Sequence, residues 1–270
     1  MSEFILKEGV YYKKTVEQIS YDDDLHDLMR DLEEKSFWFK HRNEVIFTIG
    51  KDYLEGSKVY DVGGGNGFVT RYLQQKKIEV TLVEPGEKGA INARSRGVEK
   101  VYCCTVEEMD FENNTVDGFV FFDVLEHIEE DEKFLRLLND KLRPGGFVLL
   151  TVPAKQYLWS YEDDVAGHFR RYDRESIRVT LQKSGYEDIQ SYYFFEYLVL
   201  PILFLRKLRF FKKNTNMKEV TEKKAVGQHQ ANFFVQKILN LLHQIEIKRL
   251  KRGKSLLMGS SLIVLAKKNE

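Results

Sequence analysis

Five short apolar runs lie between Lys58 and Pro153, each set off from the next by a stretch of different character. "KVYDV", "IEVTLVEP", "EKVYCC", "DGFVFFDVL" and "FVLLTVP" are too uniformly apolar to keep one face in water. Strands of that kind, separated by helices, belong in a parallel sheet covered on both faces. "FVTRYLQQKK" and "DEKFLRLLNDKL" read as intervening helices, the second with Phe134, Leu135, Leu138 and Leu142 at helical spacing. "ESIRVTLQKSGY" reads as a further helix ending at Gly185, "EDIQSYYFF" as a sixth strand and "SSLIVLAKK" as the last.

Two segments fall outside the alternation. Residues 1–56 read as a polar, helical N-terminal cap with the aromatic cluster "SFWF", ahead of a core over 57–194. Residues 195–255 read as a helical insertion, a lid or a membrane contact, before the final core strand in 256–270. Within that insertion "KKNTNMKEVTEKKAVGQHQ" is polar enough to expect mobility. Forty-two basic residues balance forty-two acidic ones, so no net field draws the chain to nucleic acid. The only two cysteines, Cys103 and Cys104, are adjacent and point to opposite faces of a strand. They are expected as buried, reduced thiols in a cytoplasmic protein. "MSEFILKEGVYYKK" lacks the pattern of a signal peptide, and no apolar run approaches the roughly 20 residues of a spanning helix.

"VYDVGGGNGF", Val59 to Phe68, sets four glycines between an apolar run and a helix. Glycine in such numbers costs chain entropy, and the usual reason is a ligand lying against main-chain N–H groups at a helix start. The spacing is not the G-x-G-x-x-G of a dinucleotide site, because the third position falls on Phe68, and no Gly-Lys-Ser/Thr follows for a phosphate loop. It is Asp-x-Gly-x-Gly-x-Gly: Asp61, Gly63, Gly65 and Gly67. A carboxylate there repels a pyrophosphate and suits an ammonium group. Glu84 ends the second strand, where a carboxylate can accept from both hydroxyls of a ribose. A nucleoside carrying an amino acid, S-adenosylmethionine, satisfies both.

"VYDVGGGNGF", "LVEP", "DGFVFFDVLEHI" and "LRPGGFVLLTVP", in this order, resemble the core of class I S-adenosylmethionine-dependent methyltransferases. The resemblance runs from Lys58 to Ala154 and returns at the final strand. It implies a Rossmann-like α/β fold with a seven-stranded sheet whose last strand is antiparallel. It also implies that Gly63, Gly65 and Gly67 cradle the cofactor, that Glu84 takes the ribose and that Asp61 lies near the methionine end. "TVEEMDF" occupies the stretch that brackets the adenine, with Thr105 where relatives often carry an acid. Thr105, Val106 and Asp123 complete the expected cofactor contacts. "SFWFKHR" and "TVPAKQYLWSYEDDVAGHFRRYD" resemble a bacterial subgroup with a Trp-Phe-x-x-Arg segment and a Gly-His-x-Arg-Arg-Tyr loop, whose substrates are diverse.

An acceptor is expected beyond the carboxyl ends of the strands. His127 has three readings there: base or substrate contact, metal ligand, or structural cap. Asp123, Glu126 and His127 resemble the Glu-x-x-Glu-His metal site of ubiquinone-type O-methyltransferases, with Asp in place of the first Glu. That departure argues for activity without a metal. In the Gly-His loop, His168 is the favoured general base, with His127 second. Trp159, Arg170, Tyr172 and Trp38 are the candidate acceptor contacts, and Arg170 and Arg171 point opposite ways if extended.

The run "FFEYLVLPILFLRKLRFFKK" is apolar and then basic, with Arg206, Lys207, Arg209, Lys212 and Lys213 at one end. It suits a helix packed on its own domain, or one lying on an anionic membrane surface. These readings converge on methyl transfer to a small or lipid-like molecule, O-methylation favoured. The alternatives are RNA or protein methylation, and cofactor binding without turnover.

Overall fold

Every other residue of a central strand faces the same way, and the computed structural model shows two separate apolar layers that follow from this. Residues 4–13, 33–34, 36–210, 233–254 and 256–269 are described. Phe119 and Phe121 enter one layer while Val120 and Phe122 enter the other. Val148, Leu150 and Val152 alternate with Phe147 and Leu149 in the same manner.

In chain order the elements are β1 (Phe4–Lys7), β2 (Val10–Lys13), α1 (Phe37–Leu54), β3 (Lys58–Val62), α2 (Phe68–Gln75), β4 (Glu79–Val83) and α3 (Glu87–Ser95). There follow β5 (Val101–Cys103), β6 (Val116–Phe122), α4 (Asp131–Lys141), β7 (Leu142–Pro153), α5 (Tyr161–Ala166) and α6 (Arg174–Lys183). The last are β8 (Tyr186–Phe194), α7 (Val199–Phe210), α8 (Phe233–Leu250) and β9 (Ser261–Lys268). The sheet has nine strands in the order β1-β2-β5-β4-β3-β6-β7-β9-β8. The last strand is antiparallel to both neighbours, as expected.

The expectation of seven strands and a purely helical N-terminus is corrected by β1 and β2. They form an antiparallel hairpin that adds to the β5 edge, β2 lying parallel to β5. Glu8 and Gly9 make the turn, both at positive φ (51° and 81°), the geometry of a two-residue hairpin loop. Residues 14–32 of the expected cap, and the polar tract from 212 to 230, lie outside the described residues.

α4 and α6 cover one face through Phe134, Leu135, Leu138, Ile177 and Leu181. On the other face α1 brings Val45, Ile46 and Leu54, α2 brings Val69 and Leu73, and α8 brings Ile247 and Leu250. Helix starts are chemically marked. Ser36 accepts from the Trp38 N–H, and Asp173 and Ser176 form a reciprocal capping box. Both cysteines are buried, and burial pushes each thiol up to about 12. The arrangement leaves α1, the loops after β3, β6 and β7, and the start of α7 at the carboxyl edge of the sheet.

Candidate active site

β3 ends in the glycine segment, where Gly63, Gly65 and Gly67 all hold positive φ (68°, 53° and 70°). The Gly65 N–H donates to Glu84 Oε2 at 2.7 Å, and the Gly86 N–H to Glu84 Oε1 at 2.8 Å. Glu84 is buried, so these bonds stabilise its charge. A carboxylate has about four acceptor sites, more than these two N–H groups use. Among the described residues, chain neighbours aside, a Cβ added to Gly65 meets no atom within 4 Å, so space is open beside this backbone.

Asp61, just below, is fully buried. Thr70 donates to its Oδ2, while Oδ1 has no partner among the described residues. Burial pushes the carboxyl up to about 7, against the lowering effects of the Thr70 hydrogen bond and the Arg42 charge. An orphaned buried oxygen beside an open glycine cradle fits the ammonium end of an S-adenosylmethionine. Thr105 and buried Val106 follow β5, and the Thr105 N–H donates to Glu108 at 2.8 Å.

Asp123 ends β6 at positive φ (57°), accepting from Thr151 at 3.1 Å and pairing with Arg42. Arg42 was missed from the sequence, although its segment was recognised. It comes from α1, is buried, and lies over the Trp38 and Phe39 rings at 5.0 and 5.2 Å. Its Nε has no partner among the described residues. Trp38 also stacks on Phe195 at 5.2 Å and meets Phe39 edge-on at 4.8 Å.

The acceptor side centres on Asp163, a second residue missed from the sequence. It is buried and accepts from His168 Nδ1 at 2.9 Å, from Arg171 Nε at 2.8 Å and Nη2 at 2.9 Å, and from the Ser160 N–H at 2.8 Å. Although burial opposes it, the hydrogen bonds from His168 and Arg171 hold this carboxyl well below the usual range. A carboxylate on Nδ1 selects the tautomer that leaves a lone pair on Nε2. His168 Nε2 faces Glu126 at 4.0 Å, and the His127 ring lies edge-on at 4.7 Å. Burial, then the charge of Asp123, holds the Glu126 carboxyl well above its ordinary value. Burial, then His168, lowers His127.

Ligand atoms of Glu126, His127 and His168 all lie within 4.8 Å of one another. Asp123, grouped with Glu126 and His127 in the sequence, is absent from that set and engaged by Arg42 instead. Two of the candidate acceptor contacts, Arg170 and Tyr172, are engaged within the protein. Arg170 pairs with Asp131 at 2.7 Å and donates to the Glu129 carbonyl at 2.7 Å. Tyr172 is buried and donates to the same Asp131 at 2.8 Å. Arg171, the neighbour of Arg170, is the arginine that bonds Asp163. Trp159 is half-buried and donates from Nε1 to Asp164 at 2.9 Å.

The family description "Methyltransferase domain" matches residues 31–191, more than half of the chain. The chain belongs to the methyltransferase-domain family. Its class is that of the S-adenosylmethionine-dependent methyltransferases, whose cofactor the glycine cradle fits. A ubiquinone biosynthesis O-methyltransferase of Rhizobium leguminosarum is 30% identical over 119 residues, 40% of this chain and 47% of that protein. A probable S-adenosylmethionine-dependent methyltransferase of Mycobacterium tuberculosis is 23% identical over 162 residues, 59% of each. The chain thus spans about half the length of the curated relatives it matches. Phosphoethanolamine N-methyltransferase 2 of Haemonchus contortus, solved with S-adenosyl-L-methionine, superposes with a TM-score of 0.56 at 17% identity, covering 96% of this chain and 62% of that one. A SAM-dependent methyltransferase of Archaeoglobus fulgidus gives 0.52 at 16%, covering 90% and 94%. These two likenesses are of fold.

Asp61 gives a pH test of the cradle. An ammonium group at its free oxygen favours the ionised carboxyl, so binding releases a proton wherever Asp61 is protonated beforehand. S-adenosylhomocysteine is therefore expected to bind roughly tenfold more weakly at pH 6 than at pH 8. Calorimetry on Asp61→Asn should show that dependence gone.

Proposed function

We propose that this domain transfers a methyl group from S-adenosylmethionine to a hydroxyl of a small or lipid-like molecule. The observation that carries the base assignment is the His168–Asp163–Arg171 chain, which sets a lone pair of His168 toward the acceptor edge beside Glu126 and His127. The printed name of the ubiquinone-related O-methyltransferase adds support for oxygen as the acceptor atom.

Bound in the cradle, the cofactor supplies an electrophilic methyl on a sulfonium. Asp61 would hold its ammonium, Glu84 the ribose hydroxyls, and the stretch at Thr105 and Val106 the adenine. The guanidinium of Arg42, whose Nε has no partner among the described residues, suits the carboxylate of the methionine part, while Asp123 holds that guanidinium in place. His168 Nε2 takes the acceptor proton as the oxygen attacks, and anionic Asp163 stabilises the imidazolium that results. Because Asp163 is itself tied by Arg171 and Ser160, the imidazole keeps its orientation through the transfer. With Arg42 on Asp123, proton removal is assigned to His168 without a metal.

A peripheral membrane contact belongs to the same proposal. Leu200, Leu203 and Phe204 of α7 are exposed, as are Leu256, Leu257 and Met258. Glu196, just before α7, accepts from the Leu256 N–H and pairs with Arg249, which brings the two apolar stretches side by side. Exposed Lys251, Arg252 and Lys254 adjoin them. Apolar side chains next to basic ones suit a bilayer with anionic headgroups, at about 1 kcal/mol per basic residue. No helix among the described residues is long and apolar enough to cross a membrane. The side chains of Arg206, Lys207 and Arg209, and residues Lys212 and Lys213, lie outside the described set.

His168→Ala should lower kcat by roughly 10²–10⁴-fold with cofactor affinity retained. Turnover near that of the parent chain would remove His168 as the base. On anionic vesicles at low salt the protein should co-sediment, and release as salt rises, while neutral vesicles hold it poorly. Failure to bind anionic vesicles would leave α7 and its neighbours as a cover over the domain itself.

A further inference from the structure

Glu246 lies on α8, outside the residues of the cradle and the acceptor cluster, and is almost completely buried. Its carboxylate takes three N–H donors. His41 Nε2 is 2.6 Å from Oε2, the Phe195 N–H donates to Oε2 at 3.0 Å, and the Glu196 N–H donates to Oε1 at 3.0 Å. Two successive backbone N–H groups on one carboxylate form an anion nest. Phe195 sits in the left-handed region (φ 56°, ψ 41°) with its ring wholly buried. A residue other than glycine keeps that conformation only where its surroundings over-determine it. One buried carboxylate therefore fixes the end of β8 and the side of α1 that carries His41.

From there a chain of contacts leads into the active site. The Phe195 ring stacks on Trp38 at 5.2 Å with 12° between planes, and the Arg42 guanidinium lies over the opposite partner of that stack, Trp38, at 5.0 Å. Arg42 follows His41 directly in sequence and pairs with Asp123. α1 is thus clamped at Trp38, one turn before Arg42, and at His41, directly before it. His243, also on α8, stacks on His41 at 4.0 Å and 9°, which further limits movement of that ring.

We infer that Glu246 is a positioning residue for the cofactor site: by holding His41 and the Phe195 turn, it sets where α1 delivers Arg42 against Asp123. The inference rests on the cofactor reading of the site and adds a residue from the far side of the fold to it. Gln at this position can accept through its carbonyl oxygen alone, so it places an amide NH₂ against one or more of the three donors. The register of α1 against β8 then shifts, and Arg42 leaves its place.

The test is a double-mutant cycle on the Kd for S-adenosylhomocysteine, run on the full chain below its melting temperature with circular dichroism as the check on folding. Glu246→Gln should raise Kd by roughly 10- to 100-fold. In an Arg42→Met background the same change should add less than about threefold, because the group it positions is gone. A general loss of stability would not depend on Arg42 in this way. Should Glu246→Gln fail to fold, the pair His41→Gln and His41→Leu carries the test. The first keeps an N–H for Glu246 and should bind like the parent; the second should bind more weakly, again only while Arg42 is present. Unchanged Kd in Glu246→Gln, or an equal rise in both backgrounds, overturns the inference. A parent chain that binds no S-adenosylhomocysteine overturns the cofactor reading, and this inference with it.

Discussion

A carboxylate taken out of water must find donors or give up its charge, and the carboxyl edge of this sheet buries several of them. Asp61, Glu84, Glu126 and Asp163 each meet that constraint differently. Glu84 keeps its charge on two backbone N–H groups supplied by glycines, and Asp163 keeps its charge on an arginine and a histidine. Among the described residues Asp61 and Glu126 have one oxygen each without a partner, and burial drives both carboxyls upward. The satisfied pair holds shape. Under the proposed function the unsatisfied pair is where outside groups would fit: an ammonium at Asp61, an acceptor at Glu126.

Charge also explains why the appended segments matter to the core. The half-buried carboxylate of Asp123 meets its guanidinium through α1, from a residue 81 positions earlier in the chain. α1 in turn depends on α8, whose Glu246 replaces solvent for three N–H groups. The N-terminal helix and the insertion are thus tied through buried charges to the carboxyl edge of the sheet.

The sheet was legible because strands buried on both faces leave an unbroken apolar signature, and the cradle because glycines at fixed spacing have few other uses. The β1–β2 hairpin was not read, since two four-residue strands carry little pattern, although Glu8-Gly9 between apolar residues was a turn signal. In the Gly-His loop the sequence singled out His168, which lies beside Glu126 and His127, and chose Arg170, whereas Arg171 is the one that bonds Asp163. That choice depends on which side of a loop faces inward, which the packing of Tyr172 and Asp131 decides. Asp163 and Arg42 gain their roles only when distant segments meet, and no local spacing encodes that.

The central claim is that the glycine turn is an S-adenosylmethionine cradle. Titration of S-adenosylhomocysteine into the parent chain and into Gly65→Val, followed by calorimetry, tests it most directly. The account predicts one site per chain in the parent and none in the variant, whose side chain would fill the open space beside the Gly65 backbone. Equal binding by the two proteins, or no binding by the parent, would contradict it.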